Sequence, residues 1–417
     1  MVASTDTKFY VHTNNNAPQL QNAYGSMIDV LDACLVSGIN IGTVSSLTAS
    51  GTTVTALFSS AHNLMQYQVI KIIGANQIEF NGEHRILTVP NAQSVTLELA
   101  AAPSTTTATG TITASLPPLG WEKPFSSSNP NGGGKAAYRS KNLLLPSRPF
   151  LRVVDEPDPS YSTTYAKYAK VGIVEDMLDI DTMLGVQAPF DPSSPDKNWV
   201  GSGAGLTAYN GWARWYYSFG NSFSVSIADT TAVPAGNRSY IIVGSGDYFY
   251  ILPRPTPTIT TAICFGFGAF KSTDFNDTAC NFLSAYNRYS PANTPASRAY
   301  YTPVSWNGQG LLLLQRPYNQ TASPKNATNI GLGVSQITTS GSQNYVGSAS
   351  PSAPTPFTPV FINEDVLRGE MPGVYWLYQN IPYLNYQTLE QGGALYIAVN
   401  CAGNTNDGQI LLKIGEL

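Results

Sequence analysis

Glycine and proline recur along this chain too closely for long helices: 36 glycines and 29 prolines fall among its 417 residues. Proline removes a backbone donor and breaks a helix interior, and glycine inside a helix costs about 1 kcal/mol relative to alanine. Between these breaks the apolar residues come in short runs dominated by aromatic and β-branched side chains, the types that suit strands. Such runs lie at 150–154, 213–219, 239–243, 248–252, 262–269, 310–315, 374–377 and 395–399. The expected fold class is mainly β.

One stretch departs from this pattern. Asn16 can cap a helix, Pro18 suits its first turn, and Leu20, Tyr24, Met27, Ile28, Leu31, Cys34 and Leu35 recur at three- and four-residue steps until Gly38. This spacing predicts an N-terminal amphipathic helix of about five or six turns. Residues 41–115 then read as a compact β unit. The runs at 52–57, 68–74 and 94–99 are strand-like, and Asn81-Gly82 is a turn signal between strands. A further strand is expected at 110–114, before a connector that ends at Pro117-Pro118. The tract 129–134 reads as a flexible loop, and 331–359, poor in charge, as an extended loop or an arm against a partner. The expected organisation is therefore an N-terminal arm and helix at 1–40, a small β-barrel or sandwich module at 41–116, a β-sandwich-like body at 117–290, and a C-terminal β-rich region with an extended loop at 291–417.

Charged residues make up only 12% of the chain, about half the usual ~25%. The polar surface must come largely from Ser, Thr, Asn, Gln and Tyr. That composition suits an ordinary β-sandwich, and it suits a subunit that buries much of its surface in an assembly, where Lys and Glu are depleted. Net charge is −4, and Lys and Arg are scattered, so no nucleic-acid partner is expected. The opening MVASTDTKFYVHTNNN has no basic segment followed by an apolar run, so no secretory signal is expected. No apolar run approaches the ~20 residues of a membrane span, so no membrane insertion is expected. Cys34, Cys264, Cys280 and Cys401 form no Cys-x-x-Cys pair. Buried thiols are expected, consistent with a reducing cytoplasm, and the spacing lends no support to a Cys264–Cys280 bridge.

No catalytic constellation stands out. His12, His62 and His84 have no metalloprotease spacing, no nucleophile elbow or phosphate loop occurs, and Gly201-Ser202-Gly203-Ala204-Gly205 lacks a following Lys. No enzymatic activity, catalytic residue, metal or cofactor is expected. The acidic run Glu175-Asp176-Met177-Leu178-Asp179-Ile180-Asp181 could hold a hard cation or supply a glycosidase pair, but it lacks the glycine and terminal glutamate of a calcium loop. On a strand, Glu175, Asp179 and Asp181 would share one face, as a solvated surface or a subunit contact. Two aromatic clusters are more informative: Trp212, Trp215, Tyr216, Tyr217 and Phe219, then Tyr375, Trp376, Tyr378, Tyr383 and Tyr386. Core packing is one use for them. Stacking on sugars or anchoring an interface is the other, which makes Trp212, Trp215, Tyr217, Tyr375, Trp376 and Tyr378 candidate contact residues.

Several stretches carry a family resemblance through their order. They are Thr13-Asn14-Asn15-Asn16-Ala17-Pro18, Gly25-Ser26, Leu31-Asp32-Ala33-Cys34-Leu35-Val36, Ala61-His62-Asn63-Leu64, Val69-Ile70-Lys71-Ile72-Ile73-Gly74-Ala75 and Phe80-Asn81-Gly82-Glu83. They continue as Gly120-Trp121-Glu122-Lys123-Pro124-Phe125, Lys135-Ala136-Ala137-Tyr138-Arg139-Ser140, Gly246-Asp247-Tyr248-Phe249-Tyr250 and Phe265-Gly266-Phe267-Gly268-Ala269-Phe270. In patches over residues 8–290 the chain resembles tailed-bacteriophage virion structural proteins, and its first β unit resembles a small module that recurs in phage fibre and baseplate proteins. The resemblance implies a virion location after assembly in the host cytoplasm, as a tail, baseplate or fibre-region subunit engaged in assembly or host attachment. A capsid decoration or collar protein is the alternative, with a glycan-binding or glycan-degrading tailspike beyond that. The implied partners are other virion proteins, copies of itself in a trimer or ring, and a host-surface glycan or protein. Residues 291–417 lie largely outside the resemblance and are where an attachment role would fall.

Overall fold

Strict alternation of buried and exposed residues closes the first β unit into a barrel. In the computed structural model, strand Thr53–Phe58 buries Val54, Ala56 and Phe58 and turns Thr53, Thr55 and Leu57 outward. The barrel order is Ile39–Ser50, Thr53–Phe58, Ser94–Glu98, Gly82–Asn91, Val69–Ala75 and Gly110–Leu116, which returns to Ile39–Ser50. Every pairing is antiparallel. The strand expected near 110 is the one that closes the ring, and closure leaves no open sheet edge. The structure describes residues 3–158, 162–201, 211–220, 229–287, 311–331, 356–377, 381–402 and 408–417.

Two antiparallel sheets make up the rest. One runs Tyr286–Asn287, Ala213–Ser218, Lys167–Met177, Phe150–Asp155, Gly134–Ser140, Trp121–Ser128, with Met183–Ala188 also paired to Lys167–Met177. The other has 13 strands. It begins with Lys8–Val11, Tyr240–Gly244, Tyr248–Pro253, Phe265–Ala269, Asn281–Ser284 and Leu311–Leu314. It continues through Lys325–Gly331, Phe357–Asn363, Leu367–Leu377, Gly408–Glu416, Ala394–Cys401 and Thr388–Gln391, with Lys271–Ser272 also paired to Leu367–Leu377. The tract at 129–134, expected as a flexible loop, is the tight turn of a hairpin in which Asn129 N–H donates to the Gly133 carbonyl at 2.9 Å. Most of the arm expected at 331–359 lies outside the described residues, and its last residues begin strand Phe357–Asn363.

The larger sheet is buried on both faces where it starts. In strand Tyr248–Pro253, Phe249 and Ile251 enter a core with Trp121, Trp215, Phe265 and Phe267. Tyr250 and Leu252 enter a second core with Phe9, Ile241, Val374, Leu395, Ile410 and Leu412. The smaller sheet thus covers one face, and the sheet's own C-terminal strands cover the other. The first core is aromatic: Trp121 meets Phe249 edge-on at 5.3 Å between ring centres, and Trp215 stacks with Phe265 at 6.1 Å. Both indole N–H groups have carbonyl acceptors, Ser245 and Ser284, each at 2.9 Å. The Phe265-Gly266-Phe267-Gly268 pattern follows from this geometry. The phenylalanines fill the aromatic core, while a Cβ on Gly266 would stand 2.6 Å from the Tyr250 ring. All four cysteines are buried free thiols.

The N-terminal amphipathic helix of five or six turns is not formed. Helix Ser26–Leu31 is followed by a π-helical stretch, Asp32–Ser37, that ends at Gly38. Upstream, the backbone is committed to tertiary partners. Asn16 is left-handed at φ 59°, and Leu20 bridges Arg238, whose N–H donates to the Leu20 carbonyl at 2.7 Å. The helix starts where Asp155 of the smaller sheet caps it, accepting from Gly25 N–H at 2.9 Å and Met27 N–H at 3.1 Å. Tyr217 O–H donates to the other oxygen of Asp155 at 2.6 Å. An acceptor supplied from a distant strand fixes the start of this helix, which local spacing cannot reveal.

Burial pushes the Asp155 carboxyl up to about 6, against the hydrogen bonds from Tyr217, Met27 and Gly25. A raised carboxyl favours the folded state fully below its ordinary value of 3.8, and that contribution is lost as pH rises through about 6. Asp155→Asn cannot ionise. Its oxygen can still cap the helix, while its amide donates to the Tyr217 oxygen. Urea unfolding of both proteins is expected to show the stability difference moving in the variant's favour between about pH 4 and pH 7. A difference that does not change with pH would contradict this role.

Candidate functional site

A cleft of about 290 Å³ opens on the outer face of the smaller sheet. Strand Phe150–Asp155 alternates across this sheet: Leu151 and Val153 face the aromatic core, while Phe150, Arg152 and Val154 face outward. The segment after strand Met183–Ala188 passes over this outer face and packs Trp199 against Phe150, Val154, Val174 and Met177. Trp199 can approach because strand Lys167–Met177 has Gly172 beneath it, where a Cβ would come within 2.7 Å of the indole. The Arg152 guanidinium lies over the Trp199 ring at 4.5 Å.

The cleft mixes satisfied and unsatisfied charge. Arg152 Nη2 donates to Asp181 at 2.6 Å and Nε to the Ile180 carbonyl at 2.8 Å. Lys135 Nζ reaches the same Asp181 at 2.8 Å. Lys170 Nζ donates to the Trp199 carbonyl at 2.7 Å and lies 3.5 Å from Asp158. Burial lowers the pKa of both Arg152 and Lys170, and the surrounding carboxylates oppose it. Burial works to raise the Asp181 carboxyl, but Lys135 and Arg152 outweigh it and hold it below its usual range. Among the described residues, Arg152 Nη1 and Trp199 Nε1 are closed off from solvent without an acceptor. The carboxylates of Glu156 and Asp196 also line the cleft, and among the described residues neither forms an ion pair or side-chain hydrogen bond.

The acidic run at 175–181 is dispersed by this geometry, because it spans a strand end and a turn instead of one strand face. Glu175 pairs with Arg316 at 2.5 Å and caps Val186 N–H at 2.7 Å. Asp179 accepts from Asp181 N–H and Thr182 N–H, both at 2.8 Å, and so shapes the turn. Only Asp181 reaches the cleft. Among the described residues, no three His, Cys, Asp or Glu side chains gather to hold a metal ion, and no helix is long and apolar enough to cross a membrane.

The aromatic candidates need correction. Trp215 and Tyr217 are fully buried, and Trp212 and Trp376 are buried as well, so these rings serve the folded body and present no face to a glycan. For Trp215, Tyr217 and Trp376 the physical reason is the second layer: the smaller sheet is covered on its inner face by the larger one, and the larger sheet by its own C-terminal strands. Tyr375 remains half-buried, in edge contact with Phe357 at 5.3 Å and Tyr396 at 5.5 Å. Tyr378 lies outside the described residues. Sequence reasoning passed over Arg152 and Trp199. The available signal was an arginine inside the apolar run Phe150-Leu151-Arg152-Val153-Val154, which must be paired if buried.

No protein-family model matches the chain, and no curated protein matches it. Among solved structures, the phage phi92 endosialidase aligns with 91% of this chain and 52% of its own, at 9% sequence identity and a TM-score of 0.16. The chain thus spans about half the length of that protein, and a TM-score this low establishes neither a common fold nor a common activity.

Trp215→Ala should lose about 3–5 kcal/mol of stability through the cavity it opens in the aromatic core, measured by chemical denaturation. A variant as stable as the parent would show that the indole is not a core residue.

Proposed function

We propose that this chain is a structural, non-enzymatic subunit of a tailed-bacteriophage virion, placed in the tail, baseplate or fibre region and engaged in assembly or host attachment. The phage assignment rests on the ordered sequence resemblance over residues 8–290. The observation that carries the assembly role is apolar exposure on a rigid β body. Phe275 is 96% exposed and the adjacent pair Leu143 and Leu144 are 78% and 92% exposed, all on loops between strands. Single exposed leucines are ordinary, but an almost fully solvated phenylalanine and a leucine pair at loop tips suit contacts with neighbouring subunits.

The surface chemistry supports the same reading. Arg85, Arg152, Lys167, Lys170, Arg214, Arg238 and Arg368 are all buried, so an already low charge content is lower still at the surface. Such a surface offers little repulsion to close packing with neighbours.

Phage particles encoding this chain, purified on a density gradient and labelled with an antibody raised against it, test the proposal. The expected result is label on the tail or its tip at constant copy number per particle. Absence of the chain from infectious particles, with all of it recovered free in the lysate, would overturn it.

A further inference from the structure

Exposed apolar residues gather at one end of the two sheets. In the smaller sheet, the connection between Gly134–Ser140 and Phe150–Asp155 carries Leu143 and Leu144, and the turn after Lys167–Met177 carries Leu178, 66% exposed. The pairing of Phe150 with Val174 puts both at the same end. There Ser147 Oγ donates to the Gln315 side chain at 2.9 Å and Glu175 pairs with Arg316 at 2.5 Å, which joins this end to the larger sheet. The larger sheet adds Phe275, Tyr318 and Leu367, the last two 55% and 50% exposed. A buried ion network holds their loops. Arg368 donates to Asp277 at 2.7 Å, to Glu364, and to the Arg316 carbonyl at 3.0 Å. Glu364 in turn accepts from Tyr318 N–H at 2.6 Å, and Thr273 Oγ1 donates to the Leu367 carbonyl at 3.0 Å. The loops are thus fixed in advance, which lowers the cost of ordering them in a contact.

We infer that this end docks a different protein, through an apolar surface of that protein bordered by lysine or arginine. The six apolar side chains together expose on the order of 800 Å², what one partner of a standard interface buries. The charge around them selects the partner. Asp176, Asp179 and Asp274 are exposed and Asp247 is half-buried, and among the described residues none of the four forms an ion pair. Lys141 is the one base at this end in the same condition, because Arg148, Lys271, Arg316, Lys325 and Arg368 are each paired. Two copies meeting through this end would set carboxylate against carboxylate, which counts against a second copy here. A basic border offsets these carboxylates and leaves the apolar residues to exclude water. Exposed residues elsewhere, such as Ile78 on the barrel and Leu384, are left for contacts between copies.

Photo-crosslinking in purified particles tests it. The full chain carries p-benzoylphenylalanine in place of Leu144, Phe275, Ile78 or Leu384, and the crosslinked peptides are read by mass spectrometry. From Leu144 and Phe275, crosslinks are expected to one protein other than this chain, on peptides where lysine or arginine flanks apolar residues. Ile78 and Leu384 should give no crosslink to that protein. Asp176→Asn combined with Asp274→Asn removes two border charges and keeps the side-chain oxygens that accept from Met177 N–H and Asn276 N–H. This double variant should unfold at the parent's temperature and lower the crosslink yield from Phe275 about fivefold, the loss of two exposed ion pairs. The inference rests on the virion reading, because the partner is sought in the particle. A chain absent from particles overturns both. A chain present in particles overturns this inference alone if Phe275 crosslinks to nothing or only to copies of the chain, if Ile78 and Leu384 reach the same protein equally, or if the double variant leaves the yield unchanged.

Discussion

Strand Tyr248–Pro253 belongs to two cores at once, and the rest of the molecule is arranged around that fact. Phe249 and Ile251 need the smaller sheet as a cover, and Tyr250 and Leu252 need the C-terminal strands. Lys8–Val11 joins the same sheet through Tyr240–Gly244, so the start and the end of the chain converge on one hydrophobic layer. Removing either cover would expose a row of large apolar side chains to water, at roughly 1.5–3 kcal/mol for each. The sheet that carries the last strands is therefore not separable from the body that carries the first.

This double burial also decides what the sequence could show. Strands with one wet face announce themselves by alternation, as Thr53–Phe58 does, and the barrel is accordingly legible. Strands buried on both faces read as short continuous apolar runs, as Leu312-Leu313-Leu314 does. Their position can be seen, but not which face a given ring takes. Trp215 and Tyr217 were open to an interface role for that reason, and only the second layer removes it. Strand Lys167–Met177 was hidden differently. Its buried Lys167 and Lys170 look like surface residues until their carbonyl and carboxylate partners are known. The N-terminal segment has helical spacing, but Asp155, far away in sequence, fixes where the helix begins.

The candidate site was the least legible part. Arg152 and Glu156 come from one strand and its end, and Asp196 and Trp199 from one covering segment, and sequence order does not bring these two together. What sequence did offer was the anomaly of Arg152 in an apolar run and the position of Asp181 after a turn. The structure converts that anomaly into a buried guanidinium on the outer side of the sheet, held through Nη2 by Asp181 and through Nε by the Ile180 carbonyl. The strand holds Arg152 over the Trp199 ring, and Gly172 leaves the room that Trp199 needs.

The proposed assembly role rests on a body with few surface charges and apolar loop tips. Sedimentation equilibrium of the purified full chain across the micromolar range measures this most directly. A stable mass corresponding to a trimer or a larger closed ring is the result the account predicts. A monomer of 44.7 kDa at every concentration would contradict it.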